Sequence, residues 1–434
     1  MELKKVLIIS PHFPPINGAD MHRIRQSLPY YRDWDWETTV AAVDPSYVEG
    51  SRDTLLEQSI PADTRIIRIK AFDTKWTRKF GLGSLALRSL WFYWKTVNRL
   101  LRREHFDLIF FSTTQFPLLI LGNYWKKRFG IPYVIDMQDP WYNDYYETHP
   151  WVKRPPKYWF ASRLNKYLEP IAMRHVSALI AVSDAYNKTL RERYPHIQSG
   201  QCHTITFGAA ERDFQIVQAS GVQQQIFSPS SDHINIVYAG IANSSMQQAL
   251  QILMGSLKSG LARWPEVFCA VRLHFIGTTY APNGKAESAI APVAQEAGVT
   301  AYVQEYPERL PYFQTLRLLL DADILLIIGS DDPNYTASKL YPYILARKPL
   351  LAIFHENSSI LRAIKEMIAG YCIPFGVPGK EAELAAQTAS VLHDWILKLP
   401  FAPPLNWSFV EPHLAATKTA EQVRVFNQAI KAEA

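Results

Sequence analysis

The chain predicts an α/β fold of two doubly wound, Rossmann-like domains, and three observations predict it. Short, continuously apolar runs alternate with helical segments, the pattern of strands buried on both faces of a parallel sheet. That rhythm runs through the first half, breaks at a polar stretch, and starts again. The 434 residues exceed what one ordinary core fills and suit two domains of roughly 200 residues each.

The elements follow in order. KKVLIIS at 4–10 reads as the first buried strand, and a helical turn leads into SLPYYRDW at 27–34. Further strands are expected at 36–43, 64–70, 106–113, 132–139, 178–185 and 203–209. Helices lie between them, around LLILGNYWKKRFG and through ASRLNKYLEPIAMRHV. Residues 214–232, FQIVQASGVQQQIFSPSSD, are polar and carry Gly, Ser and Pro without periodicity, which marks a linker. Strands resume at 234–240, 271–277, YVQEY, 323–329 and 349–355. The expected domains are therefore 1–213 and 233–406, with the linker 214–232 between them. The terminal helix within 407–434 is a candidate to pack back on the first domain. Two such halves imply a cleft, with ligands outside the carboxyl ends of the strands.

Composition narrows the function. Apolar residues make up 48% and charged residues 20%, a balance that favours a folded domain over a disordered one. The basic start MELKKVLIIS meets Pro11 too soon for a secretory h-region, and no run approaches the roughly 18 apolar residues of a membrane span. Cys202, Cys269 and Cys372 lie far apart without metal-ligand spacing, which suits a reduced, cytoplasmic compartment and predicts neither a disulfide framework nor a zinc site. The net charge is +6, and much of the excess sits in 75–105, where Lys75, Arg78, Lys79, Arg88, Lys95, Arg99, Arg102 and Arg103 interleave with Trp76, Phe80, Trp91, Phe92, Tyr93 and Trp94. Such a stretch suits the interface of an anionic membrane, or else a helix whose aromatic side packs inward while its charges face water. No helix-turn-helix, zinc-finger or RNP pattern supports nucleic-acid binding. No G-x-S-x-G or H-E-x-x-H motif supports a serine hydrolase or a zincin.

Three segments carry candidate chemistry. SPHFPPINGADMHRIRQSL (10–28) is a proline-stiffened loop from a strand end through Gly18 into a helix with Arg23 and Arg25. Glycine admits close backbone approach, and a helix N-terminus favours negative charge. His12 and Asp20 lie in the same loop. IDMQDPWYNDYYE (135–147) places Asp139 where a strand runs out, able to orient a hydroxyl or take a proton, with Trp141 as an apolar platform for a sugar ring. GSDDPNYTASKLYPYILARKPLLA (329–352) leads from a buried strand to Ser338 and Lys339 at a helix start. Ser338 can cap that helix, and Lys339 can give a diphosphate a direct positive charge. His355 and Glu356 follow the next strand end.

These segments, with FGIPYVIDMQDPW, ALIAVSDAYNKTL, TFGAAERDF and SKLYPYILARKPLLAIF in that order, resemble family 4-type glycosyltransferases of the GT-B fold over nearly the whole chain. The resemblance implies a nucleotide-sugar donor held mainly by the second domain and an acceptor held mainly by the first. It implies no obligatory metal or cofactor and transfer with retention at the anomeric carbon. It implies donor binding by Gly18, Gly240, Tyr335, Ser338, Lys339 and Tyr343, acceptor or sugar binding by His12, Asp20, Arg23 and Trp141, and Asp139 as the catalytic residue. The chain also departs from the family. Asn334 and Pro342 stand where two glutamates are usual, and YAGIANSSMQQ (238–248) lacks the usual Arg and Lys. Arg347 remains near, and Tyr335, Tyr341 or Tyr343 could stack on a base. A non-catalytic GT-B-like subunit and a nucleotide-sugar epimerase are the alternatives.

Overall fold

The computed structural model describes residues 3–77, 83–142, 158–229, 231–279, 288–333, 335, 339–377 and 379–433. It divides into two compact units, Met1–Gly208 with Leu414–Ala434, and Ala209–His413.

The first unit is built on β1 (Lys4–Ile9), β2 (Trp36–Val43), β3 (Arg65–Ile69), β4 (Leu108–Ser112), β5 (Tyr133–Met137), β6 (Ala178–Ala181) and β7 (Cys202–Thr204). All pairings are parallel and the order is β3-β2-β1-β4-β5-β6-β7. Strand residues alternate between two cores: Leu7, Ile9, Ile109 and Phe111 feed one, and Val6, Ile8, Leu108 and Phe110 the other. The short helix α1 (His22–Ser27) lies on the second face. Helices α2 (Leu85–Leu101), α3 (Ile120–Phe129), α4 (Tyr158–Met173) and α5 (Asp184–Arg193) cover the first. Gly130 closes α3 in the left-handed region at φ 73° and donates its N–H to Lys126 O, the usual reason for glycine after a helix. The terminal helix Ala415–Lys431 packs on the second face, its Phe426 among Tyr31, Trp36 and Phe110.

The second unit repeats the plan with β8 (Ile234–Ala239), β9 (Val271–Ile276), β10 (Val303–Tyr306), β11 (Ile324–Ile328), β12 (Leu350–His355) and β13 (Tyr371–Phe375). Its all-parallel order is β10-β9-β8-β11-β12-β13. The principal helices are α6 (Gln247–Arg263), α7 (Tyr312–Asp321), α8 (Leu340–Leu345), α9 (Ser359–Met367) and α10 (Glu381–Ile396). Gly260 lets Phe268 sit against α6, since a Cβ there would lie 2.2 Å from the ring.

Two expectations change. The expected linker begins inside a helix, Glu211–Ser220, whose Asp213 accepts from Tyr312 Oη at 2.7 Å within the second unit. β13 was not expected, because YCIPF combines a proline with an alternating, half-open burial pattern.

Candidate active site

In both sheets the strand order reverses beside the first strand, between β1 and β4 and between β8 and β11. The loops leaving those strand ends diverge, and that is where a doubly wound sheet takes its ligand.

In the first unit the loop after β1 is tied to the loop after β4. Asp20, 4% exposed, accepts from Thr113 Oγ1 at 2.8 Å and from the Thr114 amide at 3.1 Å through Oδ2. Its Oδ1 lies 2.8 Å from His12 Nδ1. With the carboxylate accepting, His12 carries a proton on Nδ1. Desolvation works against the Asp20 charge. The hydrogen bond and charge of His12, with the Thr113 and Thr114 bonds, outweigh it and hold the carboxyl below its ordinary value. Gly18 has an ordinary extended backbone at φ −97°. Its glycine is a matter of space: a Cβ would lie 2.9 Å from His12 Cβ and 3.1 Å from Asp20 Oδ1.

Behind this pair lies a buried polar layer. Gln138 donates to Asp20 O at 3.0 Å and to Asp136 Oδ2 at 2.9 Å, and Ser112 Oγ donates to the same carboxylate at 2.8 Å. Arg23 Nε lies 2.8 Å from Asp136 Oδ2, with both side chains buried. The rest of the guanidinium donates to the carbonyls of Ile205 and Thr206 and lies over the Phe207 ring. Arg23 was expected on acceptor or sugar. It points into the unit instead, as the counter-charge of Asp136.

Asp139 follows β5 at the same edge and is open to solvent on one side. Partial desolvation, then the negative charge of Asp20, push its carboxyl up from the ordinary value. Asp139 in turn acts on Tyr186 of α5, whose hydroxyl is raised first by desolvation and then by that charge. His12, Asp20, Asp139 and Tyr186 thus gather at the carboxyl edge of β1, β4, β5 and β6. Trp141 departs from expectation. Its ring stacks on Phe116 at 5.5 Å, its Nε1 donates to Asn165 Oδ1, and 4% of it is exposed. It is core, and a sugar ring has no access to its face. The groove bounded by Phe106, Phe129, Pro132 and Ile430 opens at the amino ends of β4 and β5 and holds none of the expected residues.

In the second unit Gly240 continues the ladder, its N–H donating to Ile276 O at 2.9 Å. A side chain there would collide with the Tyr238 hydroxyl at 2.8 Å. Tyr343, expected on the donor, is buried, and its hydroxyl bridges the Ala239 N–H at 2.6 Å and the Ala239 carbonyl at 3.2 Å. It braces the end of β8. Tyr335 stacks on Phe354 at 6.3 Å. Ser338 lies outside the described residues, as does Asn334. Lys339 stands at the N-cap of α8 with an exposed surface, and its Nζ reaches Ala239 O at 3.4 Å. Desolvation of the ammonium and repulsion from Arg309 lower its pKa to about 8. Arg309, absent from the sequence reading, leaves the end of β10 and packs over Gly277, which has φ 68° and stands 3.4 Å from the Arg309 Cγ at its would-be Cβ. Two cations therefore flank the carboxyl ends of β8, β9 and β10. The loops after β8 and β11 are joined by Ser330 Oγ to Ser245 Oγ at 2.9 Å and by the Asp331 amide to Ser245 O at 2.8 Å. Tyr341 stacks on His413, Arg347 lies over Trp407, and His355 accepts from the Asn357 amide. Among the described residues no group of three or more His, Cys, Asp or Glu could hold a metal ion, and no helix is long and apolar enough to cross a membrane.

Residues 54–208 match the family model described as Glycosyltransferase Family 4. The chain is GT-B in fold and family 4-like in its first unit. The Anabaena protein HepE in complex with UDP-glucose aligns over 99% of this chain and 98% of its own, at TM-score 0.54 and 15% identity. Sucrose-phosphate synthase from Thermosynechococcus elongatus aligns over 99% and 97% at TM-score 0.51 and 12% identity. A putative UDP-N-acetylglucosamine 2-epimerase from Listeria monocytogenes aligns over 99% and 97% at TM-score 0.53 and 11% identity. No curated protein matches the chain in sequence. At these identities the structures speak for the GT-B fold alone.

Proposed function

We propose that this GT-B chain is a glycosyltransferase that moves a hexose-type sugar from a nucleoside diphosphate to a lipid-linked saccharide, or another glycan or natural-product intermediate. The observation that carries the donor half is the pair of cations, Lys339 and Arg309, set at the carboxyl ends of β8, β9 and β10. A leaving diphosphate gathers negative charge as the glycosidic bond breaks, and cations fixed beforehand stabilise that charge without reorganising. Uracil is the base we favour, in keeping with the UDP-glucose bound by HepE. Because Lys339 and Arg309 supply the positive charge, the reading takes no obligatory metal. It takes the acceptor at the His12, Asp20, Asp139 and Tyr186 edge, with Asp139 orienting or deprotonating the attacking hydroxyl, and it expects retention. The three cysteines are unpaired, in keeping with a cytoplasmic enzyme.

The test is calorimetry with UDP, GDP and dTDP, followed by nucleotide release from the matching sugar donors. Micromolar affinity for one nucleoside diphosphate, about −8 kcal/mol, with acceptor-dependent release supports the reading. Absence of any nucleotide affinity would leave a non-catalytic subunit. Turnover of the donor sugar without acceptor would make the chain an epimerase.

A further inference from the structure

Three of the four helices that cover one face of the first unit's sheet, α2, α3 and α4, share a chemistry on their outward sides. Helix α2 buries Tyr93, Val97 and Leu101 but turns Trp91 and Trp94 outward with Lys95 and Arg99. The aromatic side chains and the charges thus share the solvent side, whereas aromatics serving the core alone would turn inward. Helix α3 lies beside it, joined by Trp125 Nε1 to Asn98 Oδ1 at 3.1 Å and by the Trp94 and Tyr124 rings at 6.4 Å. It exposes Tyr124, Lys127 and Arg128. Helix α4 packs on α3 and exposes Trp159, Phe160 and Tyr167 with Arg163 and Lys166. Trp159 is 65% exposed and Tyr167 71%.

The charges on this face are one-sided. The sequences of α2, α3 and α4 contain a single acid, Glu169, and it is buried against Arg193 and Tyr194. Lys95 and Arg163 lie over Trp91 and Trp159, at 4.9 Å and 5.6 Å from the ring centroids. Cations seated on indole faces, on three helices that expose no acid of their own, match the headgroup level of an anionic bilayer, where indole rings settle among the headgroups and lysine and arginine meet lipid phosphate. An aromatic patch of this extent exceeds scattered surface exposure. Nucleic acid is the other anionic surface to consider, and competition by a single-stranded oligonucleotide distinguishes it.

We infer that the outer face of α2, α3 and α4 together docks on an anionic phospholipid surface. The contact extends well beyond the segment 75–105 and is peripheral. It does not depend on the nucleotide, and it stands whether or not the second unit binds UDP.

Vesicle flotation tests it, using the full chain with phosphatidylcholine vesicles with and without phosphatidylglycerol. Two multiple variants are compared, W91A/W94A/W159A and K95E/R99E/R163E/K166E. We expect flotation with phosphatidylglycerol that fades at high salt, and a loss of about 10- to 100-fold in partition for the charge-reversed chain. The tryptophan variant should lose partition by a similar factor at either salt. An unshifted first-unit transition in a calorimetric scan of the same variants shows that they are folded, and an unchanged response to UDP separates this outcome from the donor reading. Equal flotation with neutral vesicles, no flotation at low salt, or displacement from vesicles by a single-stranded oligonucleotide at lower concentration than by soluble phosphatidylglycerol each overturns the inference. So does α4 proving silent, with R163E/K166E/W159A floating as the unaltered chain does.

Discussion

Asp139 and Asp20 lie close enough for the charge of one to act on the other, and that coupling sets a pH signature. Desolvation and the Asp20 charge hold the Asp139 carboxyl above its ordinary value of 3.8. If transfer needs the carboxylate, the acid limb of kcat lies above the ordinary aspartate value, and D20N, by removing the repelling charge, moves it to lower pH. D139N lowers kcat by about 10²–10⁴-fold, the usual worth of a positioned general base, and leaves UDP affinity as it was. Lys339 sets the opposite slope. Its ammonium is lowered to about 8, so the neutral amine accumulates as pH rises through that value, and UDP affinity by calorimetry falls with it. K339M and R309M each weaken UDP by about 1.5–3 kcal/mol, the worth of a charged hydrogen bond, and an unchanged affinity returns Lys339 to the role of a solvated surface residue. Arg23 belongs with stability. R23M leaves the buried Asp136 without its counter-charge and costs about 3–5 kcal/mol in urea unfolding, with UDP affinity unaltered. The sequence placed His12, Gly18, Asp20 and Asp139 in loops after strands, and the structure gathers them at one edge. It could not show that Arg23 faces inward, because its partner Asp136 is 113 positions away and the ion pair exists only once β5 lies near β1. Arg309 was passed over for a related reason. It sits in an ordinary polar turn, and only the sheet order brings β10 round to the side of Ala239 and Lys339.

At the scale of elements, legibility followed burial. Strands such as LIFFS and ILLII are buried at every position, and a fully apolar run admits few other readings. β13 buries two of its five positions and carries Pro374, so its pattern was too weak to stand out. Within the helix Glu211–Ser220, residues 214–220 read as linker because Gln and Ser dilute its apolar side, although Phe214 and Val217 are buried. Trp141 was read as a platform because it follows a strand end, and local sequence gave no sign of the Phe116 ring that covers it. The terminal helix was the better-marked case, since VRVFNQAIK has the helical spacing of an inward face. That face carries Phe426 among Tyr31, Trp36 and Phe110, and Gln422, which accepts from Tyr31 Oη at 2.8 Å and donates to Ser27 Oγ at 3.0 Å. F426A should therefore cost about 3–5 kcal/mol, the range for truncating a buried aromatic, as measured by chemical unfolding of the full chain.

At the scale of the whole molecule, each unit has its own sheet and its own core, so two cooperative transitions are expected in a calorimetric scan. A ligand raises the stability only of the unit that holds it. UDP at 100 times its dissociation constant adds about 2.7 kcal/mol, which for a unit of this size lifts its transition by about 2–4 °C per kcal/mol. The upper or lower peak that moves with UDP then belongs to Ala209–His413, and in K339M/R309M it stands still. F426A should move the other peak alone. The two perturbations assign the peaks from opposite sides: the nucleotide acts through residues at the ends of β8, β9 and β10, the truncation through the packing of the terminal helix on β2 and β4. If UDP instead lifts the peak that F426A lowers, the donor lies on the first unit, and the roles given to His12 and Lys339 have to be exchanged.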